Sequence, residues 1–300
     1  MSKFKSIFRF LLPGFLIQFY RSNKKNRINK SLALQKKRGQ GLNKKDLYDR
    51  FYEIGIRPGD SLLVHSSLSK IGFVENGAVD VVDSLLELIS DEGDLLMPSS
   101  PNGLLQIDFL KNNEVFDVKK TPSALGSITE NFRNRDGVQR SLNYLEPVCA
   151  YGKNAKYLTE GHFGEVSPYT KNSPFHRLTE LNGKILYLGV DLDNAGTSLH
   201  VLEDSVDFHF PVYASSEFRV KIKDEKGVVH MVSTKAHNPV FSKKRKCNDL
   251  IPMFIEHGVC EKVQIGNAES YLFDAKKMLD LMLEKYNSEK ITMYTPKGQF

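Results

Sequence analysis

His200 and Glu203, in the run Gly196-Thr197-Ser198-Leu199-His200-Val201-Leu202-Glu203, are the pair best equipped for chemistry in this chain. On a helix capped by Thr197 or Ser198 they share one face, where a carboxylate can hold an imidazole in one tautomer and stabilise its protonated form. That is how a general base and its orienter are arranged. On spacing alone, a capped helix with one surface His and one surface Glu fits the same residues. The elements around the pair must decide between the two.

A glycine-punctuated apolar stretch at 184–190 precedes the pair and reads as a buried strand emerging at a loop. Upstream, the pattern predicts a helix over 44–54, a turn at Arg57-Pro58-Gly59-Asp60 and a strand over 61–65. A helix over 78–90 follows, with Val81, Val82, Leu85, Leu86 and Ile89 at helical spacing, then a strand over 95–98. Strands alternating with helices indicate a single α/β domain whose central mixed sheet is flanked by helices. Beyond Asp207 the chain turns β-rich, with a hairpin expected from 218–222 and 228–233 around residues 224–227. A closing amphipathic helix is expected near 268–285.

The net charge of +6 is unevenly spread. Residues 1–50 hold 14 basic and 2 acidic side chains, leaving 28 basic against 34 acidic over 51–300. The body is mildly acidic and lacks the basic footprint of a nucleic-acid-binding domain, so no nucleic-acid partner is expected. The three cysteines, Cys149, Cys247 and Cys260, are widely spaced, which argues against a disulfide framework or a structural zinc site and fits a reducing cytoplasm. No metal is expected. His162, His176, His209, His230, His237 and His257 show no metal-ligand spacing and read as surface or core residues.

Residues 1–40 read as a basic amphipathic arm and linker before a catalytic domain over 41–300. The first twenty residues mix Phe4, Ile7, Phe8, Phe10, Leu11 and Leu12 with Lys3, Lys5 and Arg9 and are broken at Pro13-Gly14, too short to span a bilayer. Such a segment suits peripheral contact with an anionic inner membrane face, or equally a helix packed on the body or on the partner in a homodimer. Residues 21–40 read as solvated linker.

Several segments occur in an order that resembles the aminoglycoside 3-N-acetyltransferases: 59–72 with Val64-His65-Ser66-Ser67, 116–126 with Thr121-Pro122-Ser123, Arg140-Ser141, Ser173-Pro174, Gly189-Val190 and Thr197 through Glu203. The resemblance covers about residues 44–290. It implies the single α/β domain of that family and acetyl-CoA as co-substrate. It matches His200 and Glu203 to the catalytic pair, and His65, Ser66, Ser67, Thr121 and Ser123 to acetyl-CoA-binding loops. An amine must lose a proton before it can attack a thioester, and an imidazole with an ordinary pKa of about 6.5 suits that task. Ser123 is also expected to cap a helix beginning near Ala124.

The chain departs from the family pattern where a His-Pro pair would follow Arg140-Ser141: Asn143 and Tyr144 stand there, and Gly196 replaces an asparagine. Asn143 and Tyr144, with Thr197 and Ser198 and with Glu165 and His176 of the loop 161–177 expected to cover the acceptor, are the candidate acceptor-binding residues. The altered motif and the arm favour an amino sugar as acceptor, nucleotide-linked and destined for a surface polysaccharide; the alternative is an antibiotic-inactivating aminoglycoside 3-N-acetyltransferase. A Cys149 acyl-enzyme and a non-enzymatic membrane scaffold are the remaining readings. Cys149 in the apolar run 147–150 reads rather as a buried small hydrophobe.

Overall fold

The computed structural model describes residues 14–298 apart from 104 and 113. Its strands are β1 (Ser61–Ser66), β2 (Asp94–Pro98), β3 (Val115–Asp117), β4 (Gln139–Arg140), β5 (Val148–Gly152), β6 (Lys184–Leu188), β7 (Phe218–Lys223), β8 (Val229–Thr234), β9 (Cys260–Ile265) and β10 (Ala268–Asp274). Seven form one sheet in the order β4-β5-β2-β1-β6-β10-β9. Its centre, β2-β1-β6, is parallel, while β5 and β10 join antiparallel on either side. The central strands carry the apolar runs Leu62–Val64, Leu95–Met97 and Ile185–Leu188, buried because both of their faces are covered.

One face carries the helices Lys44–Glu53, Ala78–Ile89 and Ser127–Arg133, whose buried side chains pack with Leu62, Val64, Leu95 and Met97. In Ala78–Ile89, Val81, Val82, Leu85, Leu88 and Ile89 are almost wholly buried, each side chain contributing about 1.5–3 kcal/mol. On the other face, Leu63, Leu96, Ile185 and Tyr187 meet the helices Pro174–Glu180 and Ala275–Glu289. A smaller sheet, β3-β7-β8, encloses its own core with Phe116, Tyr144, Val220 and Ile222.

Two sequence expectations fail here. The closing helix expected near 268–285 is instead β10 followed by the helix Ala275–Glu289. Gly266-Asn267 makes a two-residue turn that returns the chain from β9 into β10, and pairing with β6 and β9 overrides the helical pattern. The stretch 21–40, read as linker, is helical as far as Lys37 within the helix Gly14–Lys37. Gln35 Oε1 accepts a hydrogen bond from the Phe73 backbone N–H at 2.8 Å, tying that helix to the body. Within the arm 1–40 expected to meet a membrane, the side chains named for that contact, Lys3 to Leu12, lie outside the described residues, and among the described residues no helix is long and apolar enough to cross a membrane.

Candidate active site

The parallel strands β1, β2 and β6 all end at the same edge, and in open α/β sheets that edge is where ligands bind. A cavity of about 380 Å³ opens there, lined by His65 and Ser66 from β1, Pro98 from β2, Ser100 just beyond it, and Val190 through Thr197 after β6, although Asp191 stays out of its wall. Its remaining wall includes Gln106, Glu146, Tyr169, His200, His237 and Arg245.

His200 ends a 3₁₀ turn, Thr197–His200, that runs on into the helix Val201–Ser205. Neither Thr197 nor Ser198 caps it: the residue in the cap position is Gly196, whose backbone N–H donates to Leu192 O at 2.8 Å. A Cβ at Gly196 would lie 2.4 Å from that same oxygen, so this loop accepts glycine where an asparagine would clash. The continuous helical path still puts His200 and Glu203 on one face, and His200 Nδ1 lies 3.0 Å from Glu203 Oε1.

Three donors converge on Glu203. His237 Nε2 is 2.7 Å from Oε2, and the Tyr294 hydroxyl donates to Oε1 at 2.6 Å. The carboxylate is completely buried and desolvated, yet the two imidazoles and the hydrogen bonds hold its pKa well below the usual carboxylate range. An ionised carboxylate only accepts, so His200 carries its proton on Nδ1 and presents Nε2 as a lone pair. Burial pushes the His200 imidazole down to about 3 against the pull of Glu203, leaving a neutral base at physiological pH. Tyr169 packs over both imidazoles, at 4.9 Å from His200 and 5.4 Å from His237, and fixes their planes. His200, Glu203 and His237 place ligand-type atoms within 4.8 Å of one another, a grouping able to hold a metal ion. As arranged, the ring nitrogens nearest the carboxylate donate to it.

The expected donor-binding residues separate. His65 and Ser66 line the cavity; burial lowers His65 to about 3, and among the described residues its Nε2 has no hydrogen-bond partner. A neutral imidazole with an unsatisfied nitrogen on a cavity wall fits a ligand with amide groups, such as the pantetheine arm of acetyl-CoA. Ser67 lines an adjoining cavity that shares Val190 and Asn194 with the first. Thr121 and Ser123 do not reach the main cavity and instead line a separate concavity with Tyr144. Thr121 Oγ1 accepts from the Asp117 N–H at 2.9 Å, and Ser123 Oγ accepts from the Leu125 N–H at 3.2 Å. Ser123 caps no helix, because the helix expected near Ala124 begins only at Ser127.

Among the candidate acceptor residues, only Thr197 lines the cavity. Ser198 is buried behind it. Glu165 accepts from Asn172 Nδ2 at 2.7 Å and His176 sits 3.7 Å from Glu180, both away from the cavity. The stretch 161–177 that carries both residues contributes Tyr169 to the cavity wall instead. Tyr144 donates to Glu114 O at 3.0 Å in the small core. Asn143 Oδ1 accepts from the Leu145 and Glu146 N–H groups at 3.1 and 3.0 Å, so it shapes the turn that carries Glu146 into the cavity. Arg140 and Ser141 are architectural: Arg140 Nε donates to Ser99 Oγ at 2.8 Å, and Ser141 Oγ bonds His162 Nδ1 at 2.9 Å. Cys149 is buried in β5 against the opposite face of the sheet, with its thiol pushed up by burial, away from any acyl-accepting role. His237, Tyr294, Arg245, Gln106 and Glu146 were not singled out from the sequence, and only tertiary folding brings them to the pair.

The model of the aminoglycoside 3-N-acetyltransferase family matches residues 63–287. The chain is 29% identical over 181 residues to the SPbeta prophage-derived aminoglycoside N(3')-acetyltransferase-like protein YokD of Bacillus subtilis, a stretch covering 55% of this chain and 66% of that protein. It is 24% identical over 287 residues to aminoglycoside N(3)-acetyltransferase VII of Streptomyces paromomycinus, covering 86% and 98%. The crystal structure of aminoglycoside acetyltransferase AAC(3)-Xa superposes with a TM-score of 0.73 at 23% identity, covering 86% of this chain and 96% of that one. AAC-IIIb in a binary complex with CoASH gives 0.69 at 20% identity, covering 85% and 100%. The seven-stranded sheet, the cavity at its parallel edge and the matched span agree: this chain belongs to the aminoglycoside 3-N-acetyltransferases, a family of acyltransferases that use acetyl-CoA.

Proposed function

We propose that this protein transfers the acetyl group of acetyl-CoA to a primary amine of an aminoglycoside, by direct attack within a ternary complex, with residues 41–300 as the catalytic domain and 1–40 as an arm. The observation that carries this reading is the buried His200–Glu203 pair, hydrogen-bonded at 3.0 Å, with His200 lining the cavity at the parallel edge of the sheet. Bound acetyl-CoA supplies the activated acyl group. His200 Nε2 takes a proton from the attacking nitrogen and passes it to the leaving sulfur, while Glu203 stabilises the imidazolium formed between those events. His237 and Tyr294 keep Glu203 ionised and fixed. His65 and Ser66 line the wall where the donor's amides and the developing oxyanion need hydrogen-bond partners.

An aminoglycoside is preferred over the nucleotide-linked sugar for two reasons. The relatives described above are named for aminoglycosides, and none of them for a polysaccharide sugar. The altered residues Asn143 and Tyr144, which suggested another acceptor, do not line the cavity. Incubation with acetyl-CoA and a panel of aminoglycosides and nucleotide-linked amino sugars, followed by thiol release, tests this. Release with at least one aminoglycoside is expected. Release with a nucleotide-linked sugar alone would move the acceptor to the other class.

A further inference from the structure

Turning an ammonium ion into an amide removes two protons from one nitrogen, and the His200 pair accounts for one of them. We propose that Glu146 binds the reacting amine as its ammonium ion and takes the first proton, leaving the second to His200. This rests on the amine-acetylating reading above.

Glu146 and Asp193 are the carboxylates lining the cavity among the described residues. Asp193 is exposed at the rim, where its Oδ1 accepts from the Asn248 N–H at 3.0 Å. Glu146 is set deeper. Its Oε1 accepts from Gln106 Nε2 at 3.1 Å, and among the described residues no donor reaches Oε2. Gln106 also accepts from the His237 N–H at 2.9 Å and lies 3.4 Å from the Tyr169 hydroxyl, so one amide ties this carboxylate to the residues packed on His200. Asn143 holds the backbone of Glu146 from the other side. A carboxylate positioned by two neighbours, on a cavity wall and with one oxygen lacking a donor among the described residues, is equipped to receive a cation.

The charge balance points the same way. Burial pushes Glu146 up to about 7, opposed by the Gln106 hydrogen bond and by the Arg245 guanidinium. The other titratable groups around it are Tyr169, which burial keeps neutral, and the cavity imidazoles of His65, His200 and His237, all lowered by burial. An alkylammonium therefore passes a proton more readily to Glu146 than to the resting His200, and proton acceptors work best near the operating pH. The ammonium gives one proton to the Glu146 carboxylate, and the freed lone pair forms the N–C bond as the C–S bond breaks. The second N–H proton reaches the sulfur through His200 Nε2, and Glu146 returns its own to solvent. The products are amide, thiol and one released proton.

The full-length protein and its Glu146→Gln and Glu146→Asp variants would be compared by thiol release with an aminoglycoside from about pH 5.5 to about pH 9.5. Wild-type kcat/KM should rise through about pH 7 as Glu146 ionises, then level off. Glu146→Gln should lose about 100-fold at neutral pH, with the gap closing as the amine deprotonates unaided at high pH, while acetyl-CoA affinity stays unchanged. Glu146→Asp should restore most of the rate with a displaced acid limb. A loss independent of pH in Glu146→Gln, wild-type kinetics in that variant, or an unmoved acid limb in Glu146→Asp would each overturn the proposal. If the wild-type protein acetylates no amine, the reading beneath fails as well; if it does and Glu146→Gln matches it, only this inference falls.

Discussion

Two glutamates serve one cavity, and their surroundings give them opposite characters. Glu203 accepts from His200, His237 and Tyr294, and its pKa is driven well below the usual range despite complete burial. Among the described residues Glu146 accepts from Gln106 alone, and burial drives it up to about 7. Burial opposes ionisation in both; the number and charge of the partners decide which effect wins. A satisfied carboxylate becomes a fixed charge that orients a base. A half-satisfied one becomes a group able to change its charge near neutral pH.

The largest break in this comparison comes from the Glu203 side. His200→Ala should lower kcat by about 10²–10⁴-fold in steady-state thiol release, the usual range for losing a general base, while calorimetric affinity for acetyl-CoA stays the same. A wild-type rate in that variant would take His200 out of the mechanism. Tyr294→Phe is a milder test, since it removes one donor and leaves both imidazoles in place. Catalysis should fall by less than tenfold, and urea unfolding should register a loss of about 1.5–3 kcal/mol for a hydrogen bond to a buried charge. Stability equal to wild type would mean that Tyr294 does little to hold Glu203.

The sequence made the pair legible because its geometry is local. Residues three apart on a helical path meet wherever the chain later goes, and the 3.0 Å contact formed although the expected Thr197 or Ser198 cap did not. The central strands were equally plain, since buried parallel strands are continuous apolar runs. Nothing local announced His237 or Tyr294, which reach Glu203 from 34 and 91 residues away. Glu146 did carry a signal: a charged residue inside the buried stretch between Arg140 and β5, next to the two positions that departed from the family pattern. Thr121 and Ser123, which the resemblance matched to a donor-binding loop, line a concavity apart from the main cavity, and Thr121 O there accepts from the Arg140 guanidinium Nη1 at 2.5 Å. β10 was misread although Gly266-Asn267 is a two-residue hairpin signal, because a real helix begins immediately after it at Ala275.

The contrast between the two glutamates can be observed without turnover, by following side-chain carboxyl carbons in protein labelled with carbon-13 glutamate as pH is changed. The account predicts one glutamate resonance with a midpoint near 7 that disappears in Glu146→Gln, and a Glu203 resonance that stays at its ionised position far below the ordinary glutamate midpoint of about 4.3. If Glu146 titrates at that ordinary midpoint, or Glu203 takes up a proton near it, the two carboxylates are alike and the division of labour proposed for this cavity is wrong.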